Sequence, residues 1–107
     1  MPYYLGQAAY TPQACAAMAK SPQDRLEPIR QTVESLGGKL LCMYNCFGEY
    51  DAMVITEMPD NVSTAAFSLA LSAGGAVKAV KTTPLMTTQE FAEASRKAGQ
   101  AAYRPPA

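Results

Sequence analysis

The chain has 107 residues, nine Lys plus Arg against nine Asp plus Glu, a formal net charge of zero and no histidine. Lacking imidazole, it excludes Ser-His and Cys-His nucleophile pairs, His-ligated haem and His-containing zinc or non-haem iron sites, and without a basic run it lacks the electrostatic footprint of a nucleic-acid binder. With 49% hydrophobic and only 17% charged residues, below the roughly 25% charge of an ordinary domain, some apolar surface is expected to meet another subunit.

Tyr3 to Tyr10, aromatic and small apolar residues bounded by Pro2 and Thr11-Pro12, reads as a first strand. Thr11 then reads as a helix cap with Pro12 at the first helical position, and the helix to Lys20 would turn Cys15 and Met18 inward. Ser21-Pro22 repeats that start signal. Leu26, Ile29, Val33 and Leu36 follow at helical spacing, with Pro28 expected to shift the regular start to near Glu27 and Gly37-Gly38 providing the stop.

Lys39 to Phe47 is expected to be a strand with two apolar faces, Leu40, Cys42, Tyr44 and Cys46 on one and Leu41, Met43 and Phe47 on the other. A turn at Gly48-Glu49-Tyr50 leads into a partner strand, Asp51 to Met58, ended by Pro59. Asp60 opens a helix over Asn61 to Ala73, stopped by Gly74-Gly75. Ala76 to Thr83 reads as a fourth strand closed by Pro84, Thr88 to about Ala98 as a last helix, and the tail to Ala107 as loose or extended over a neighbour.

This order is the split β-α-β arrangement of ferredoxin-like α+β domains: one domain over residues 1 to 107, with a core at about 3 to 85 and an appended helix and tail. A four-stranded antiparallel sheet with helices on one face leaves the second face bare. Because the middle strands are apolar on both sides, a second copy packed sheet to sheet is the expected cover, giving a homodimer or higher homo-oligomer.

Three cysteines, Cys15, Cys42 and Cys46, are an odd count. On a strand the last two would stand about 13 Å apart, too far for a disulfide or a shared metal, so buried reduced thiols and a reducing cytoplasm are expected. The start of the chain lacks the pattern of a signal peptide, and no run approaches the ~18 apolar residues of a membrane span. Neither a metal nor a cofactor motif is legible.

The segment F-G-E-Y-D-A-M-V-I-T-E-M-P-D, Phe47 to Asp60, resembles the signature of the GYD-domain family of bacterial and archaeal proteins. The Gly, Tyr and Asp of its name are Gly48, Tyr50 and Asp51 here. Y-T-P at Tyr10 to Pro12, E-S-L-G-G-K-L at Glu34 to Leu40 and S-A-G-G-A-V-K-A-V-K-T-T-P-L at Ser72 to Leu85 are similar to the same family, in the same order. The resemblance implies a ferredoxin-like fold of the dimeric α+β barrel kind and a family whose biochemical role is largely unassigned.

Candidate site residues follow from chemistry. Asp51 either accepts hydrogen bonds from turn amides or acts as a base at a pocket mouth, with Tyr50 either plugging the sheet edge or serving as a phenolic donor. Tyr10 and Tyr44 either pack or line one cavity, and Asn45, mid-strand on the face opposite Tyr44, needs a partner across an interface or in a ligand. Arg25, which resembles an arginine recurrent in the family, either pairs with Asp24 or Glu27 or binds an anion. The expected function is binding of a small apolar or aromatic molecule, with cofactor-free proton transfer or oxygenation suggested by fold analogy. A non-catalytic assembly or regulatory module is the alternative.

Overall fold

A computed structural model describes residues 1 to 106, so the terminal Ala107 of the expected tail lies outside the described residues. Eight elements follow in order: β1 (Tyr3–Tyr10), α1 (Pro12–Lys20), α2 (Leu26–Ser35), β2 (Lys39–Asn45), β3 (Ala52–Glu57), α3 (Asn61–Ala73), β4 (Val77–Leu85) and α4 (Thr88–Gln100). The strands form one sheet in the order β2-β3-β1-β4, every pair antiparallel. This is the ferredoxin-like α+β arrangement, with α2 packed on β2 and α3 on β4.

Local chemistry sets the element ends. Thr11 caps α1, its hydroxyl accepting from the Ala14 N–H at 3.1 Å, with Pro12 at the first helical position as expected. Asp60 caps α3 by accepting from the Ser63 N–H at 2.8 Å, and that amide, followed by the Ser63 hydroxyl, holds its carboxyl below the ordinary range. Thr87 and Glu90 form a reciprocal capping box on α4, one position ahead of the expected start at Thr88.

Four expectations are corrected. Ser21-Pro22 does not start α2: the Ser21 N–H closes α1 on the Ala17 carbonyl, and the chain stays non-helical until Arg25. Pro28 then falls in the first turn of α2, where a missing N–H costs nothing. Pro84 does not end β4, which runs to Leu85, because β4 is an edge strand on which an absent N–H can face outward. The two-face pattern of β2 breaks at Leu41, where a bulge shifts the register so that Leu40 pairs with Thr56 but Cys42 with Ile55. Leu40 and Met43, not Leu40 and Cys42, therefore share the helix-facing side, and the strand stops at Asn45 with Phe47 exposed beyond it.

The thiols are the fourth. All three cysteines are free, but Cys15 and Cys46 are exposed and Cys42 half-buried. Helix α1 buries no residue, so nothing covers Cys15, and Cys46 lies beyond the end of β2.

The core is built from Tyr4, Val33, Leu40, Val54, Met58 and Phe67, with Ile29, Met43 and Leu71 packed against it. Gly38 is the closest approach in this core: a Cβ there would lie 2.9 Å from the Glu57 carbonyl oxygen and 3.1 Å from Val33 Cγ1, and would overlap the Met58 sulfur. Backbone cannot yield as a side chain can. Gly38→Ala is expected to lower unfolding stability by about 1–3 kcal/mol, read as a lower urea midpoint at unchanged slope; a midpoint equal to that of the unaltered chain would show that Met58 and β3 move aside freely.

Candidate functional site

Because α2 approaches the sheet chiefly at β2 and α3 at β4, the space above the central pair β3 and β1 is left for side chains reaching in from the two helices to fill. The residues that β1 turns to that side are Tyr4, Gly6, Ala8 and Tyr10, and those of β3 are Ala52, Val54 and Thr56. Towards the Tyr4 end the gap is filled by Phe67 and Met58. Towards the Tyr10 end the side chains are too small to fill it, and a cavity of about 280 Å³ remains. It lies where α2 begins, α3 ends and β1 finishes, and its walls are chiefly apolar.

Of the candidates, the structure brings Tyr10 and Arg25 to this cavity, with Tyr4 deeper in the same wall. The Tyr4 hydroxyl is committed to donating to Asn61 Oδ1. The hydroxyls of Thr32 and Thr64, also on the wall, donate to the Pro28 and Asp60 carbonyls at 3.0 and 2.9 Å. Arg25 forms no ion pair with Asp24 or Glu27. Its guanidinium donates to Gln23 Oε1 at 3.0 Å, while Asp24 accepts from the Leu26 N–H and Glu27 is taken by Arg30 at 3.0 Å.

Tyr44, Asn45, Tyr50 and Asp51 are not on this cavity. The bulge at Leu41 sends Tyr44 to the opposite face, where it pairs with Met53 and is 67% exposed. Asn45 is exposed at the end of β2, and its amide donates to the Asp51 carbonyl at 3.3 Å. Tyr50 accepts a hydrogen bond from the Cys46 thiol on its carbonyl.

Asp51 joins three strand ends. Its Oδ2 accepts from the Tyr10 N–H at 2.8 Å, its own N–H donates to the Ala8 carbonyl at 2.8 Å, and its carbonyl accepts from the Cys46 N–H at 2.9 Å. The carboxylate is thus spent on main chain at the point where the β1 and β4 register shifts between Ala9 and Tyr10. It fixes Tyr10 from behind rather than presenting a base to the cavity. Gly48, at φ 132°, lets the β2 to β3 turn close with no Cβ.

Among the described residues, no carboxylate, lysine or cysteine lines the cavity, and no three acidic or sulfur ligands stand close enough to hold a metal. The arrangement is a largely apolar recess with Tyr10 and Arg25 at one end. Gly6, Ala8, Ala52 and Phe67 are among the wall residues not expected from the sequence. Their signal is the large-small-small-large alternation Tyr4, Gly6, Ala8, Tyr10 on one strand face.

The sequence pattern of the GYD domain matches residues 4–95. The chain belongs to the GYD domain family. No curated protein sequence matches it. Among solved structures, this GYD-domain chain is similar to TTHA0845 from Thermus thermophilus, at 11% identity and a TM-score of 0.54, over 82% of this chain and 96% of that one. It is also similar to the transcriptional regulator NMB0573 from Neisseria meningitidis, solved in complex with L-Met, at 14% identity and a TM-score of 0.53. That match covers 81% of this chain and 51% of the regulator, so the chain spans about half the regulator's length. At such identities the likeness is one of fold.

Asp51→Ala removes a charge-assisted acceptor from the Tyr10 amide, and a loss of about 1–3 kcal/mol in unfolding stability is expected, with Asp51→Asn losing less because an amide oxygen still accepts. Chemical denaturation of the two variants tests this, and equal stability of Asp51→Ala and the unaltered chain would remove the structural role.

Proposed function

We propose that this GYD-domain protein binds a small apolar or aromatic molecule in the cavity between its sheet and helices α2 and α3, and that it does so as a homo-oligomer. The cavity carries the reading. It is enclosed on one side by the sheet and on the other by two helices, its wall is apolar, and a few polar groups converge at one end, which is the usual make-up of a small-molecule site. A fold neighbour solved with L-Met agrees with a small-molecule role at the level of architecture. With Asp51 bonded to main chain, binding is favoured over turnover.

A second observation favours assembly. Leu5, Met53, Ile55, Cys42 and Tyr44 share the sheet face opposite α2 and α3, and no helix packs along it. Helix α4 buries no residue, although Phe91 stands on it, and the radius of gyration is 17.2 Å, against about 13 Å for a compact domain of this length. An isolated helix of 13 residues is marginal in water. A second copy covering the bare face, with α4 lying against the pair, accounts for both. The three free thiols suit a reducing, cytoplasmic setting.

Indole serves as a neutral probe of the cavity. It is expected to shift the amide resonances of Gly6, Ala8 and Ala52, and Ala8→Leu, which fills the space, is expected to abolish those shifts; indole at millimolar concentration leaving the unaltered protein's spectrum unchanged would sink the binding reading. Light scattering is expected to give at least twice the 11.4 kDa chain mass, reduced to that of one chain by Ile55→Glu at the centre of the bare face. A monomer in the unaltered protein would overturn the assembly.

A further inference from the structure

Resting on the cavity reading above, we infer that the molecule held there is a monocarboxylic acid with an apolar body, its carboxylate met by Arg25. Among the described residues that line the cavity, Arg25 alone carries a charge. It precedes the first residue of α2 at the end of the cavity where Tyr10 also stands. Among the described residues its side chain has no carboxylate partner: it donates to the neutral Gln23, and both acidic neighbours are otherwise engaged, Asp24 with the Leu26 amide and Glu27 with Arg30. A guanidinium presents a planar fork of donors that fits a carboxylate in two parallel hydrogen bonds.

The rest of the wall defines what that carboxylate is attached to. Phe67, Met43, Ile29, Val54 and Val80 are apolar, the hydroxyls of Thr32, Thr64 and Tyr4 already have protein partners, and Tyr10, Thr56 and Thr82 add only neutral hydroxyls. A cavity of about 280 Å³ corresponds to roughly nine waters of liquid volume, which suits a ligand of about a dozen non-hydrogen atoms. One cation calls for one negative charge, so a carboxylate suits it better than a doubly charged phosphate monoester. No acidic side chain lines the cavity to receive an ammonium group, so a free α-amino acid, whose amine would be left without a counter-charge, fits less well than the same acid without the amine.

Three probes with one body separate the possibilities: 3-phenylpropanoate, 3-phenylpropan-1-ol and L-phenylalanine, each titrated calorimetrically at low and at 0.5 M sodium chloride. The acid is expected to bind about tenfold more tightly than the alcohol, the preference shrinking at high salt as screening requires, and more tightly than the amino acid. Arg25→Gln is expected to bring the ratio of acid to alcohol affinity close to one, and Arg25→Lys to restore part of it. Equal affinities for acid and alcohol in the unaltered protein, or a ratio that Arg25→Gln leaves in place, would overturn the carboxylate assignment while the cavity reading stands. Tighter binding of the amino acid would overturn the monoanion assignment in the same way. Failure of all three probes, together with no response to indole, would overturn the cavity reading and this inference with it.

Discussion

The placement of two helices over the two edge strands of a four-stranded sheet is the constraint from which the site descends. Helices pack about 10 Å from a sheet, and their side chains fill the layer between. When α2 lies over β2 and α3 over β4, the layer above β3 and β1 must be filled from the flanks and from below. Phe67, Met58 and Tyr4 do this at one end. At the other end β1 offers Gly6 and Ala8 and β3 offers Ala52, and no flank residue reaches across. Native interiors are packed nearly to crystal density, so this void is maintained by the choice of small residues on the central strands. A Cβ at Gly6 would lie 3.0 Å from Val54 Cγ2, which shows how near the filled part of the core begins.

Asp51 makes the open end rigid. A cavity bounded by strand ends would ordinarily be soft, because strand ends fray and their amides seek partners. Here one residue joins β1 to the β2 and β3 turn through its carboxylate, amide and carbonyl, and so fixes Tyr10 where the β1 to β4 pairing shifts. In this chain the Gly and Asp of the family signature make backbone contacts beside the cavity. Its Gly closes the turn, and its Asp holds the neighbouring strand.

The element order, the α1 and α3 caps and the ferredoxin-like topology are legible in the sequence because each depends on local chemistry: Thr11-Pro12, Asp60, and alternating apolar runs separated by glycine pairs. What fails is arithmetic carried over a distance. Counting alternate residues along β2 puts Tyr44 beside Leu40, and a single extra residue at Leu41 reverses every later side chain. Bulges leave no fixed residue signature, since Leu41 is an ordinary strand former. Asp51 is ambiguous for a related reason. An acid beside a tight turn can cap amides or accept protons, and its partner, the Tyr10 amide, lies 41 positions away in the chain. Arg25 is open to two readings in the sequence, and only the structure shows that neither Asp24 nor Glu27 pairs with it.

The low charge of the chain, 17% charged residues, goes with exposed apolar side chains at several places: Tyr44 on the sheet face away from the helices, Phe47 beyond β2, Val62 and Leu69 on α3, and Phe91 on α4. The cavity and the bare face are the two sides of one sheet: Gly6 and Ala8 stand on the cavity side, while Leu5 and Gln7, which alternate with them, stand on the other. Anything that bends or flattens the sheet from the bare side therefore changes the space above Gly6 and Ala8, because a strand's alternate residues move together. The two faces thus share one wall, β1 and β3, in which Ile55 and Val54 stand one residue apart on opposite sides.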